Sequence, residues 1–488
     1  MPVLKSTVHQ TAEALVLAID LGTSSVKVAL IDPSLRVWGK STAPYPTTTL
    51  RPGQAEQDPA DWLDALAKAC DRLSLAKQPD LVAVALTGQL PTLVPATSSG
   101  TARGQAITWQ DSRADSLVDR RLTPVQRRRV SEISGAPIDG RYLIPMELHR
   151  AERDEPPAQV LLSAKDYLFA VLTGTLLTEP STASGYGCYD FDAGNWSDEL
   201  LALWGIERDR LPALASSRTS GRLVPGVIDG VAPGTPVVLG AADSVCAHHY
   251  LTALAPKAVS VSEGSSTVIL AQLEDHAARP TDLLVTPLTD RRQAAVEMDL
   301  LATGSSLAWL AGITGGDPLG LERLALNVRC PQDSAVLFFP YLAGGEQGAL
   351  WREDLMGTIA GVSLSTTAAE LALALNEGIA FETLRCLRRL DTGEQRPVIA
   401  VGAPGSTNLR HAILDAVWPG PVQVLAASDP SVLGAALLGF QALGIETSCE
   451  LEEVATLPRL SDAYTNSAAA RAARYLSLEP GLRALPSV

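Results

Sequence analysis

Residues Leu15 to Asp32 read LVLAIDLGTSSVKVALID, two apolar, β-branched runs on either side of Gly22-Thr23-Ser24-Ser25. Valine and isoleucine favour extended backbone and glycine opens a tight turn, so the stretch predicts a β-hairpin with a polar tip. Residues Ala258 to Gln272 read AVSVSEGSSTVILAQ and repeat the pattern around Gly264-Ser265-Ser266-Thr267. The two tip glycines lie 242 residues apart in a chain of 488. A repeat at about half-length predicts two similar domains, taken here as residues 1–245 and 246–488.

Working outward, strands and helices alternate. Asp58-Pro59 supplies an N-cap and a first-turn proline for a helix with Trp62, Leu63, Leu66 and Cys70 on one face. Leu81 to Leu86 reads as a buried strand ending at Thr87-Gly88-Gln89, and Ala164 to Leu172 as a helix stopped by Gly174. Pro236 to Gly240 is a short apolar strand of the kind found inside a sheet, followed by Ala241-Ala242-Asp243. In the second half, Thr367 and Glu370 form a capping box for a helix running to about Leu390, and the strand Pro397 to Val401 leads into Gly402-Ala403-Pro404-Gly405. Asp429-Pro430 then opens a helix whose small residues, from Gly434 onward, allow close approach to another backbone. This alternation predicts an α/β fold.

Bulk chemistry narrows the class. Thirty-nine basic against 54 acidic residues give a formal charge of −15, a field that repels nucleic-acid backbones and anionic membranes. The cluster Arg127-Arg128-Arg129 runs against this trend and reads as a solvated helix face. With 46% hydrophobic and 19% charged residues the chain has a globular balance, not a disordered one. No apolar run reaches 18 residues, and the opening MPVLKSTVHQTAEALVLAIDLG lacks the marks of a signal peptide, so a soluble chain is expected. Six cysteines without a CxxC pair predict free thiols in a reducing cytoplasm.

Several residues could carry chemistry. A hairpin tip of glycine and hydroxyls, Gly22-Thr23-Ser24, can wrap phosphate oxygens, and Asp20 at the strand end can hold Mg²⁺ through water; alone, the same residues also make an ordinary capped turn. The second tip, Gly264-Ser265-Ser266, turns the pair into a two-sided phosphate clamp. Asp243 leaves a buried strand after three small residues and could face a cleft, or could simply cap a helix. His248-His249 lack a third ligand at metal-binding spacing. The turn from Gly402 to Ser406 could let a nucleoside lie against backbone. Trp109, Asp111 and Arg113 offer an aromatic surface and a charge pair, which could equally be structural. No P-loop, GxGxxG after a strand, GxSxG elbow or HExxH occurs where its mechanism requires it.

In chain order the blocks AIDLGTSSVKVALID, EQDPADW, ALTGQ, ITWQDSRA, KDYLFAVLTG, STASGYGCYDFDAGNWSDELL, PGTPVVLGAADS, FFPYLAGGE, GTIAGVSLSTTAAELALALNEGIAF, VGAPGSTNLRHAILDAV and DPSVLGAALLGFQALG resemble the FGGY family of carbohydrate kinases, over nearly the whole chain. The xylulokinase-like branch is the nearest in look. The resemblance implies two actin-like, ribonuclease-H-type domains with ATP and sugar in an interdomain cleft. It implies Asp243 as catalytic base and as a water-mediated Mg²⁺ contact together with Asp20. Gly22, Thr23, Ser24, Gly264, Ser265 and Ser266 fall on the phosphate loops, and Gly402, Ala403 and Ser406 on the adenosine turn. Gln89, Leu90, Trp109, Asp111 and Asp243 fall on the sugar side. The expected activity is ATP- and Mg²⁺-dependent phosphorylation of a hydroxyl on a small sugar, with D-xylulose or another ketopentose leading and gluconate or a polyol as alternatives. A cytoplasmic enzyme follows, with sugar and ATP as its partners and a homodimer admitted.

The chain also departs from the family pattern. Xylulokinases usually read GQMHG where Gly88-Gln89-Leu90-Pro91-Thr92 stands, PKLxW becomes Pro145-Met146-Glu147-Leu148-His149, and GERTP becomes Gly345-Glu346-Gln347-Gly348-Ala349. The adenosine turn keeps one of three customary glycines. These changes leave the phosphate loops and the base in place and bear on sugar identity. A catalytically silent sugar-binding regulator and an actin-like filament protein are the competing classes; retention of Asp20 and Asp243 speaks against the first.

Overall fold

The computed structural model describes residues 14–51, 53–78, 80–275, 279–290, 292–328, 330–352, 354–390, 395–402, 406–426, 429–449 and 454–482. The chain divides into two compact units. The first comprises Met1–Tyr250, Thr286–Gln293 and Asp429–Glu450, and the second Leu251–Val285, Ala294–Ser428 and Leu451–Val488. This differs from an even split at 245/246: the change-over falls at Tyr250, and a late segment belongs to the first unit. No helix among the described residues is long and apolar enough to cross a membrane.

The sheet of the first unit contains β1 (Leu15–Leu21), β2 (Ser25–Ile31), β3 (Val37–Pro44), β4 (Leu81–Gly88), β5 (Ser220–Arg222) and β6 (Pro236–Ala242), in the order β5-β6-β4-β1-β2-β3. The expected hairpin is β1–β2, antiparallel, with Asp20 opposite Lys27. β1 pairs in parallel with β4, and β4 with β6, so the centre of the sheet is buried and its strands are mainly apolar, with Asp20 the charged exception in β1. The helix Pro59–Asp71 starts at its Asp58 cap, and its Trp62, Leu66 and Cys70 enter the core. The helix Ala164–Thr173 ends on Gly174 in the left-handed region, as the sequence predicts.

The second sheet contains β7 (Val259–Glu263), β8 (Thr267–Gln272), β9 (Leu284–Pro287), β10 (Ala294–Leu300), β11 (Val398–Val401) and β12 (Val422–Leu425), in the order β9-β10-β8-β7-β11-β12. Five of its six strands repeat the first sheet's pattern: β10-β8-β7 antiparallel, then β11 and β12 parallel, just as β3-β2-β1 lead to β4 and β6. The half-length repeat is therefore one of topology as well as of hairpins. Each unit has its own apolar core, the second built around the 23-residue helix Ala368–Leu390.

The segment after Asp429 joins the first unit for a steric reason. Its helix, Pro430–Leu443, lays Gly439 against Val16 and Ala85 and Gly434 against the Cys246 carbonyl. A Cβ on Gly434 would overlap that carbonyl oxygen, which is backbone and cannot rotate away. Gly434→Ala should therefore lower stability by about 2 kcal/mol or more, the usual cost of overpacking a tight contact. Urea unfolding checks this: a lower midpoint at unchanged slope is expected, and an unchanged midpoint would contradict it.

Candidate active site

The tip of the β1–β2 hairpin is held from beneath by one buried amide. Gln57, 1% exposed, donates to Thr23 O (2.7 Å) and Thr47 Oγ1 (2.8 Å), and its Oε1 accepts from Trp62 Nε1 and Gln89 Nε2, both at 3.0 Å. All four hydrogen-bonding positions of the amide are filled, so it fixes tip, helix and β4 end together. Trp109 Nε1 adds a bond to Thr23 Oγ1 (3.0 Å), and the Tyr45 hydroxyl donates to Gly22 O. With its carbonyls engaged by protein, the tip can turn N–H groups and hydroxyls toward an anion.

Asp20 is buried at the end of β1. Ser431 Oγ donates to its Oδ2 (2.8 Å), and Lys27 Nζ lies 3.7 Å from the same oxygen and 3.2 Å from Asp429 Oδ1. Burial pushes the Asp20 carboxyl above its usual range despite Lys27. Burial also works to lower the Lys27 ammonium, but Asp20, Asp429 and, more weakly, Asp243 outweigh it and hold the pKa up. Asp20 Oδ1 is buried and has no hydrogen-bond partner among the described residues. Such a hard anionic oxygen fits a divalent cation such as Mg²⁺. No group of three or more His, Cys, Asp or Glu among the described residues could hold a metal by itself, so a cation here would share its coordination with water or phosphate.

Asp243 opens the helix Asp243–Leu254 directly after β6, and its Oδ1 accepts from Ser244 N–H (2.8 Å). What aims it is a bulge. Val238 pairs with Ala85 but Ala241 pairs with Thr87, so β6 spends one residue more than β4. Gly240 sits in that bulge with φ +68°, and a Cβ there would overlap Leu86 O. The field of Asp243 reaches both Lys27 and Tyr45, as does that of Asp20. The two carboxylates that the sequence singles out thus share one electrostatic environment.

The other first-unit candidates divide. Gln89 is buried, and its Oε1 has no partner among the described residues. Leu90 packs against Gly185. Asp111 is taken up by protein donors, Ala55 N–H (2.7 Å) and the backbone and guanidinium of Arg113, which also pairs with Glu56 at 2.7 Å. The structural alternative for the Asp111–Arg113 pair is the one that these contacts support. His249 contacts Gln441 and Thr289 side chains.

In the second unit the tip between β7 and β8 is clamped to the start of the helix Gly304–Thr314. Ser265 O accepts from Thr303 N–H, Ser305 N–H and Ser305 Oγ at 2.9–3.1 Å, and Gly264 O from Gly304 N–H at 3.2 Å. Gly264 and Ser265 are exposed and Ser266 is half-buried. Just before the tip, Glu263 meets Arg410 (2.6 Å), with His411 Nε2 3.2 Å from the same carboxylate and Glu322 3.1 Å from Arg410. Burial alone would raise the Glu263 carboxyl, but Arg410 and His411 hold it well below the usual range. Ser406 Oγ donates to Glu322 (3.2 Å) and Thr407 N–H to the same group (2.6 Å), so this buried network also holds Ser406 and Thr407. Gly402 is described; Ala403 lies outside the described residues. Sequence reasoning missed Gln57, Glu263, Arg410 and Glu322, although a charged pair in two otherwise apolar runs is a visible signal.

One further carboxylate is unusual. Glu346, in the altered Gly345-Glu346-Gln347 block, is 2% exposed; its Oε2 accepts from Leu350 and Trp351 N–H groups (2.9 Å each), and its Oε1 is unpartnered among the described residues. It faces Glu382, itself bound by the Tyr341 hydroxyl (2.8 Å) and Arg385 (3.0 Å). Burial first, and the Glu382 charge second, push its pKa up to about 7.

Comparison with known proteins agrees with the geometry. Residues 15–249 match the N-terminal domain, and residues 259–443 the C-terminal domain, of the FGGY family of carbohydrate kinases. The gluconokinase of Bacillus subtilis is 25% identical over 454 residues, 88% of this chain and 87% of that protein. The glycerol kinase of Bordetella pertussis is 28% identical over 477 residues, 90% of this chain and 91% of its own. A ligand-bound xylulose kinase from Lactobacillus acidophilus has the same fold, with a TM-score of 0.85 at 21% identity over 96% of this chain and 99% of that one.

The raised pKa of Glu346 has a sign. Its folded value of about 7 exceeds the ordinary 4.5, so its contribution to stability is complete below about pH 4.5 and is lost as pH rises through about 7. Glu346→Gln should therefore match wild type in stability at acid pH and exceed it increasingly toward pH 8, by about 1–3 kcal/mol. Denaturant unfolding at pH 4.5 and pH 8 measures the gap; one that does not widen would contradict the assignment.

Proposed function

This chain belongs to the FGGY family of carbohydrate kinases, and from that footing we propose that it phosphorylates a hydroxyl of a ketopentose, D-xylulose foremost, at the expense of ATP in the cytoplasm. The observation that carries the reading is Asp243, a carboxylate held at the end of the bulged strand β6 in the same electrostatic environment as Asp20 and Lys27. In the reaction Asp243 accepts the proton of the sugar hydroxyl while its oxygen attacks the γ-phosphorus. The bond from that phosphorus to the β,γ-bridging oxygen breaks, and ADP leaves with the electron pair. Gly22, Thr23 and Ser24, together with Gly264, Ser265 and Ser266, would offer N–H and O–H groups to the phosphates. Gly402, Ala403 and Ser406 would border the adenosine. Asp20 and Asp243 would hold Mg²⁺ through water, and the ion supplies charge neutralisation when bound with ATP.

Gln89, Leu90 and Trp109 are assigned to the sugar side, with the Asp111–Arg113 pair fixing the loop that carries Trp109. Support for a ketopentose comes from the ITWQDSRA and Pro236–Asp243 blocks. The gluconokinase and glycerol kinase relatives make gluconate and a polyol the second reading.

Asp243→Asn, which keeps the shape and removes the basic oxygen, tests the assignment. With D-xylulose as acceptor, kcat should fall about 10³-fold or more, within the range that general-base catalysis and orientation supply, while the dissociation constant of ATP stays within about threefold. Wild-type turnover in this variant would overturn the assignment.

A further inference from the structure

The bulge that turns Asp243 out of the sheet leaves the backbone just before it in need of partners. Buried peptide groups are costly when unpaired, and an extra residue takes strand groups out of the ladder. Side chains fill the gap. Lys165 Nζ donates to Leu239 O (3.3 Å), Thr87 Oγ1 donates to Ala241 O (2.9 Å), and Ser181 Oγ accepts from Ala242 N–H (3.0 Å). Thus three backbone polar groups between residues 239 and 242, the last one residue before Asp243, are gripped by three side chains distant in sequence.

The direction of each bond is set. The single hydroxyl proton of Ser181 goes to Glu179 Oε1 (2.7 Å), which leaves the serine oxygen free to accept from Ala242. Glu179 is itself saturated by Ser181 N–H, Thr182 N–H and Thr182 Oγ1 at 2.6–2.9 Å. Lys165, 1% exposed, donates to Asp166 Oδ1 (2.8 Å) and lies 3.9 Å from Glu179 Oε1. Burying one cation and two carboxylates is a poor way to gain stability, since desolvation offsets the attraction. What such a cluster can secure is geometry, because its partners accept only one arrangement.

We propose that Ser181, Thr87 and Lys165 are positioning residues for Asp243, holding the carbonyls of Leu239 and Ala241 and the N–H of Ala242 so that the carboxylate points along one line. The inference rests on Asp243 being the general base. None of the three touches the reacting atoms; they act through the backbone, and a shift of 1 Å at the base is enough to cost about 10²-fold in rate.

Steady-state kinetics on the full-length protein test it. Ser181→Ala leaves Ala242 N–H without its acceptor, and kcat should fall about 10–100-fold while the KM values for ATP and acceptor stay within about threefold. The acid limb of the kcat–pH profile should move as well, because the environment of the base has changed. Ser181→Thr, which keeps the hydroxyl, should restore most of the rate. Thr87→Val, equal in volume, provides the same readout if Ser181→Ala fails to fold, with an expected loss of about 3–10-fold. A folded Ser181→Ala with wild-type kcat would overturn the proposal, and so would a loss confined to thermal stability. The two assignments separate cleanly: an inactive Asp243→Asn beside a fully active Ser181→Ala leaves the base in place and removes the positioning role, whereas an active Asp243→Asn removes the base itself.

Discussion

Gly240 is the constraint from which the first unit's site follows. Only a residue without a side chain can run against the Leu86 carbonyl with φ +68°, and so only glycine lets β6 insert one extra residue beside β4. The strand then leaves the sheet as the helix Asp243–Leu254, with Asp243 at the point of departure. That helix must in turn approach the helix Pro430–Leu443 closely, which Gly434 permits beside the Cys246 carbonyl. The second helix delivers Ser431 and Asp429 to Asp20 and Lys27. Two glycines far apart in the chain thus bring a strand-end carboxylate, a buried aspartate and a lysine into one environment.

The second unit solves a related problem by different means. Its hairpin tip is fixed through the Gly264 and Ser265 carbonyls, bound by the start of the helix Gly304–Thr314, while the Gly264 N–H closes the turn on Ser266 O (2.7 Å). Behind it, Glu263, Arg410 and Glu322 form a buried chain of alternating charge. The protein as a whole carries a formal charge of −15. Such a field opposes a nucleotide, and on the proposed reading N–H groups of the phosphate loops would work against it over a few ångströms.

Much of this was legible in the sequence because it is local. Hairpins announce themselves by alternation around a glycine, and Asp58, Thr367 with Glu370, and Gly174 mark helix ends through chemistry within a few residues. Asp243 could be singled out because three small residues and a buried strand precede it. What stayed hidden depends on distance along the chain. The fully satisfied amide of Gln57 joins residues from 23 to 89, and Lys165 meets a carbonyl at 239. Asp111 and Ser406 were legible as polar residues in the right blocks, but which acceptor or donor saturates them is decided by folding. The same holds for the segment after Asp429, whose allegiance to the first unit rests on contacts with residues 16, 85 and 246.

The most direct test of the central claim, that this chain transfers phosphate from ATP to a small sugar, is ADP release by the purified protein with Mg²⁺ across ketopentoses, aldonates, polyols and glycerol. The account predicts one strong responder, D-xylulose or a close ketopentose, with the phosphorylated sugar formed in equal amount to ADP. ADP release that no acceptor raises above the rate in water alone would contradict it.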